Sequence, residues 1–170
     1  MTHPVSPSPS LGDILNQWVA GKPPNSSAWQ KLVAAELIPP ERAKAFGITP
    51  DNVAKKLQAR SRLFESVYSD ILTLPYFAPK IKDNPENSES IQTNIILSLW
   101  RLWIPLAIQL ADSRKKLGCP LIQGILGGQG TGKTTLAVVL KLILAQLGYR
   151  TLSLSLDDLY KTYQERQRMQ

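Results

Sequence analysis

Nine consecutive residues, Gly127-Gly128-Gln129-Gly130-Thr131-Gly132-Lys133-Thr134-Thr135, constrain this chain more than any others, because they match G-x-x-x-x-G-K-[ST]. Glycine at this density lets successive backbone N–H groups turn inward around the β- and γ-phosphates of a nucleotide. A helix that starts directly after them points its positive end at the same anion. Lys133 adds a mobile positive charge. Thr134 offers a hydroxyl as a hard oxygen ligand for Mg²⁺, which keeps most of its waters and bridges protein to phosphate. The flanking residues have the order such a loop requires. Leu121 to Leu126 (LIQGIL) reads as a short buried parallel strand, and Leu136 to Leu147 reads as a helix ended by Gly148.

The segment after that helix narrows the class. Tyr149 to Leu156 (YRTLSLSL) is strand-like, with leucines at 152, 154 and 156 alternating with serines, and it runs directly into Asp157-Asp158-Leu159-Tyr160. A carboxylate at the carboxyl end of a strand in an open α/β sheet lies on the rim where ligands bind. Asp157 or Asp158 serves equally well as the N-cap of a helix begun by Leu159. Position alone does not choose between the two roles.

Gly127 to Thr135 and Ser155-Leu156-Asp157-Asp158-Leu159-Tyr160 together resemble the D-glycerate 3-kinase family, relatives of phosphoribulokinase and uridine kinase. That family carries a P-loop with Gln in its middle, followed by an S-x-D-D-F-Y element; this chain has Leu159 where the family usually has Phe. Trp100-Arg101-Leu102-Trp103-Ile104-Pro105-Leu106 also looks like the aromatic, proline-containing helix that precedes the P-loop strand there. The resemblance implies an α/β P-loop kinase fold and transfer of the γ-phosphoryl of ATP to the 3-hydroxyl of D-glycerate, with Mg²⁺ as cofactor; composition agrees with a cytoplasmic enzyme. It assigns the catalytic base to Asp157, and with it Lys133 is the second catalytic residue. Uridine or pantothenate kinases would need the same visible residues, ATP and GTP are not distinguished by them, and a non-catalytic nucleotide-binding module is the alternative from another class.

Elimination supports a carboxylate base. The single histidine, His3, falls in a Pro/Ser-rich terminus, and Cys119 is the only cysteine, which excludes an intramolecular disulfide and a cysteine-built zinc site. Cys119 is expected to be a small buried residue beside the first strand. Lys and Arg number 20 against 13 Asp and Glu, a net charge of +7. The basic residues are nevertheless scattered, so Lys55-Lys56 to Arg60 and Arg62, and Arg114-Lys115-Lys116, are expected to be solvated helix faces rather than a nucleic-acid surface.

The apolar stretch Asn94 to Ala111 raises a membrane partner. Ser98, Arg101, Pro105, Gln109 and Asp112 recur at intervals of three or four and form one polar stripe, leaving Leu99, Leu102, Trp103, Leu106 and Leu110 on the other faces. Arg101 near the centre of a spanning helix would be costly, so a mostly buried amphipathic helix is expected instead.

Helices are expected at about 11–19, 27–38, 40–46, 50–74 and 89–117, the fourth opening with Thr49 as N-cap and Pro50 at the first position, and residues 75–90 are expected as a loop. The expected organisation is a disordered tail over 1–10, a helical region over 11–118, and the start of a P-loop kinase domain over 119–170. The family's strand order, 2-3-1-4-5, would leave the two strands here without the one between them. The expectation is therefore a truncated domain that is inactive and poorly stable by itself, with the oligomeric state left open.

Overall fold

Local polar bonds or a proline set the first helix starts in the computed structural model, which describes residues 9–155. Helix α1 (Leu11–Val19) opens with a reciprocal cap: the Asp13 N–H donates to the Ser10 hydroxyl at 3.2 Å, and the Ser10 N–H donates to the Asp13 carboxylate at 2.8 Å. Asn25 accepts from the Ala28 N–H at 2.9 Å at the head of α2 (Ser26–Leu37), and Pro40 takes the first position of α3 (Pro40–Ala45). Helix α4 (Val53–Leu72) starts three residues later than Pro50. The Asn52 side chain explains the delay: it accepts from the Thr49 N–H at 2.9 Å and donates to the Gly47 carbonyl at 3.0 Å, closing a turn over 49–52.

The expected loop over 75–90 contains a short helix, α5 (Ala78–Lys82), and a 3₁₀ turn, Pro85–Asn87. Phe77 anchors this segment by stacking on Trp103, with ring centroids 5.7 Å apart at 19°. The long helix expected at 89–117 is three pieces: α6 (Ser88–Ser98), a π-helical turn (Leu99–Trp103) and α7 (Ile104–Leu117), ended by Gly118 at φ +68°.

The π turn follows from Pro105. Proline has no N–H to return to the carbonyl of residue 101, and that carbonyl instead accepts from Arg42 Nε at 3.0 Å and Nη2 at 2.6 Å. An i→i+5 turn absorbs one extra residue, which rotates everything downstream by about 100° relative to a continuous α-helix. Ile95, Ile96, Leu99 and Trp100 are buried, and an unbroken helix would continue that face with Trp103, Leu106 and Leu110. The buried positions are instead Ile104, Ala107 and Ala111, each one residue later. Pro105, expected on the polar stripe, is buried, and Leu102, expected on an apolar face, is 48% exposed. By length and composition Pro85–Leu117 could cross a membrane, and 44% of its most apolar window is buried inside the protein.

The core collects Leu15, Trp18, Leu32, Leu57, Phe64, Val67, Ile71, Trp100 and Ile104, with Val139, Leu140, Ile143 and Leu144 of α8 (Lys133–Gln146) in the same cluster. Trp18, Phe64 and Trp100 form an aromatic triangle with centroids 5.3–5.6 Å apart. Among these side chains lies a charge. Glu36 is 1% exposed and takes Arg42 Nη1 at 3.0 Å on one oxygen and Arg60 Nη1 at 2.7 Å on the other. Arg60 is 2% exposed, with its guanidinium carbon 5.3 Å from the Trp100 ring.

The expected α/β fold is contradicted. Among the described residues there is no β-strand, and the architecture is all-helical. Residues 121–126 and 151–155 carry no regular structure, and Ile122, Leu126, Leu152 and Leu154 are 71–95% exposed. A strand exists only through a neighbour's backbone, and neither segment pairs with the other here. Helix α8 joins the helical core through α4 and α7 instead of covering a sheet.

The buried carboxylate makes a direct prediction. Glu36→Gln leaves Arg60 charged, buried and unpaired, and should lower the unfolding free energy by about 3–5 kcal/mol in urea titration. Glu36→Leu combined with Arg60→Met should recover most of that loss; a single variant costing under about 1 kcal/mol would mean the pair is not structural. A second prediction concerns α1. The Ser10 N–H, and then its hydroxyl, hold the Asp13 carboxyl below its ordinary 3.8. A depressed acid stabilises the folded state above its unfolded pKa and loses that contribution as pH falls through the folded value. Protection of the first α1 amides from hydrogen exchange should fall below about pH 3.8 in the parent and be pH-independent there in Asp13→Asn.

Candidate functional site

Backbone conformation builds the loop. Gly130 and Gly132 stand at φ +76° and +81°, the left-handed region in which side chains other than glycine's are strained. Gly127 is favoured for a different reason: a Cβ there would lie 2.7 Å from Thr131 Oγ1, which would have to turn away. Thr131 closes the loop locally, its hydroxyl donating to the Gly128 carbonyl at 2.9 Å. Gln129 sits at the exposed tip.

Helix α8 begins at Lys133, and the first helical bond is the Leu136 N–H to the Gly132 carbonyl at 2.8 Å. Gly132 has no side chain with which to cap, and the first turn contains no acidic residue. The initial N–H groups of α8 therefore project without a side-chain acceptor, at the positive end of the helix dipole. Lys133, half-buried, arches back over the loop and donates to the carbonyls of Gly127 at 2.8 Å and Gly128 at 2.7 Å. An ammonium has three N–H donors, so one remains for a further acceptor. Lys133, the glycines, Thr131, Thr134 and Thr135 are thus brought into one short loop and helix start, as their spacing requires.

Metal-binding capacity is narrow. Among the described residues no group of three or more His, Cys, Asp or Glu could hold an ion. Thr134 is exposed in the first turn of α8. One hydroxyl suits Mg²⁺ where phosphate oxygens and water fill the rest of its octahedron, and it does not suit an all-protein cage.

Asp157 and Asp158 lie outside the described residues, as does His3. Cys119 corrects an expectation: it is exposed, since no strand forms beside it to cover it. Arg60 corrects another, since it is buried against Glu36 rather than solvated on a helix face. Its position was the available signal. Val53, Leu57, Arg60, Phe64, Val67 and Ile71 recur at three and four residues, which puts Arg60 in the apolar stripe of α4.

No family model, curated protein or solved structure matches this chain.

The steric role of Gly127 can be tested against a neutral control. Gly127→Ala should shift the Thr131 amide and methyl resonances and those of the Gly130–Lys133 backbone, because the Thr131 hydroxyl must leave its place. Gly124→Ala meets open space and should leave the same signals unmoved. Equal spectra for the two variants would show that the loop does not hold Thr131 over Gly127.

Proposed function

We propose that residues 127–135 bind the phosphates of a Mg-nucleotide and that the chain belongs to an ATP-dependent phosphotransferase acting on a small-molecule alcohol, with D-glycerate the acceptor that the motif resemblance favours. The observation that carries the reading is the α8 start: N–H groups without a side-chain cap and no acid in the first turn, beneath a glycine loop spanned by Lys133. These features favour a bound anion over a plain turn. The reading rests on this loop and on the motif residues, and on no sheet.

In this reading the loop N–H groups and Lys133 hold the β- and γ-phosphates and offset the charge that spreads over the transferring group. Mg²⁺, with Thr134 as its protein ligand, supplies further charge neutralisation. Transfer to an alcohol also needs an acceptor for the hydroxyl proton, the role given to Asp157. A cytoplasmic setting, where ATP and Mg²⁺ are abundant, suits this chemistry.

Lys133→Ala should weaken Mg-ATP binding by roughly 1.5–3 kcal/mol in calorimetry, the loss of one charge-assisted contact. Unchanged affinity would end the nucleotide reading. Asp157→Asn separates base from cap, because Asn still caps a helix but cannot accept the proton. It should keep nucleotide affinity and lower glycerate phosphorylation by ~10²–10⁴-fold; near-parental turnover would make Asp157 structural.

A further inference from the structure

Positive charge in this chain is concentrated in one stretch. Between Asp112 and Asp157 the charged side chains are Arg114, Lys115, Lys116, Lys133, Lys141 and Arg150, with no Asp or Glu among them. They account for +6 of the net +7, so the rest of the chain is nearly neutral. Arg114, Lys115 and Lys116 form the last turn of α7, where cations oppose the negative end of the helix dipole. That local role accounts for cations at one helix end. It does not account for the missing acids over the loop and helix that follow.

Large apolar side chains are bare in the same stretch. Ile122, Leu126 and Leu152 are 94–95% exposed, more than any other large apolar side chain among the described residues, and Leu117, directly after Lys116, is 57% exposed. The Tyr149 hydroxyl donates to the Ala111 carbonyl at 3.4 Å, one turn ahead of Arg114, and so draws the start of the 150–154 segment toward the end of α7. Cations and exposed aliphatic groups are thus neighbours in sequence over 114–126 and again at Arg150 and Leu152.

We propose that this stretch docks on the surface of an anionic lipid bilayer, with Ile122, Leu126 and Leu152 entering the headgroup–acyl boundary and Arg114, Lys115, Lys116 and Arg150 meeting acidic headgroups. A bilayer surface offers diffuse negative charge above an apolar layer, which complements aliphatic side chains flanked by cations and free of acids. Nucleic acid fits less well. A base needs an aromatic face to stack on, and the one aromatic residue between Asp112 and Asp157 is Tyr149, half-buried and bonded to α7. The contact is peripheral, because separate exposed side chains do not make a spanning run. It is independent of phosphate binding at 127–135, and Lys133, held to the Gly127 and Gly128 carbonyls, has no part in it.

The test is co-sedimentation of the full chain with vesicles of phosphatidylcholine, alone or mixed with phosphatidylserine. The chain should sediment with the mixed vesicles only, and less of it as salt is raised. Lys115→Gln with Lys116→Gln should weaken binding roughly 30-fold, about fivefold for each cation lost. Lys44→Gln with Lys55→Gln removes the same charge from exposed positions outside the stretch and should leave binding near parental. Ile122→Ser with Leu126→Ser should weaken it at least about tenfold. All of these side chains are exposed, so circular dichroism of each variant should match the parent. Equal sedimentation with phosphatidylcholine alone, or none with the mixed vesicles, overturns the proposal. So does parental binding by the Ile122–Leu126 variant, or an equal loss from the two lysine pairs. Tighter binding of polyglutamate or oligouridylate than of the mixed vesicles, at matched ionic strength, would assign the surface to an acidic polymer instead.

Discussion

The carboxylate of Glu36 is the constraint on which the helical body depends. Burying a lone charge costs several kcal/mol even after the protein relaxes, so Glu36 can lie in the core only if its partners are held there too. Arg42 comes from α3 and Arg60 from α4, and with Glu36 on α2 they fix three helices relative to one another. Arg42 carries the linkage further, because its Nε and Nη2 bind the Arg101 carbonyl that Pro105 leaves without a helical partner. One guanidinium therefore serves a charge on α2 and a backbone gap in the π turn. Neither need would be met if the other element moved.

Packing around that network is aromatic and anisotropic. Trp100 lies at its centre, edge-on to Phe64 and beneath Arg60, with Trp18 completing the triangle. Helix α8 adds Val139 and Ile143 to the same core, so the loop at its head is carried by a helix whose own position is set by α4 and α7. The loop is thus exposed in its chemistry and anchored through its helix. This arrangement presents backbone donors outward without asking the loop residues to bury anything themselves.

Much of the helical region was legible from periodicity and from Pro and Gly. The starts of α1, α2 and α3 and the end of α7 fall within a residue or so of the sequence reading, whereas the cap it named, Thr49 with Pro50, lies ahead of a helix that begins at Val53. The glycine positions of the loop were also legible, because the positive φ of Gly130 and Gly132 is a local property. What failed was non-local. The strands at 121–126 and 149–156 were inferred from alternation and apolar runs, but strand formation depends on a neighbour's backbone, which periodicity does not report. Arg60 was misjudged because charge was weighed without its place in the α4 stripe, and Ile104, Ala107 and Ala111 because Pro105 was read as one more polar-face position.

The π turn bears on how sequence length can vary in this chain. A segment that absorbs one surplus residue within a single turn, while delivering the next helix in phase with the core, is equivalent to an insertion already accommodated. Deleting one residue between Leu99 and Trp103 would remove the surplus residue and keep Ile104, Ala107 and Ala111 facing inward, with only the bond that Pro105 cannot donate still missing. The same deletion two turns later would rotate the end of α7 by about 100° and bring Ala111 out of the core. Length is therefore elastic at one place in this helix and rigid elsewhere, and any alignment that spans it should put its gap there.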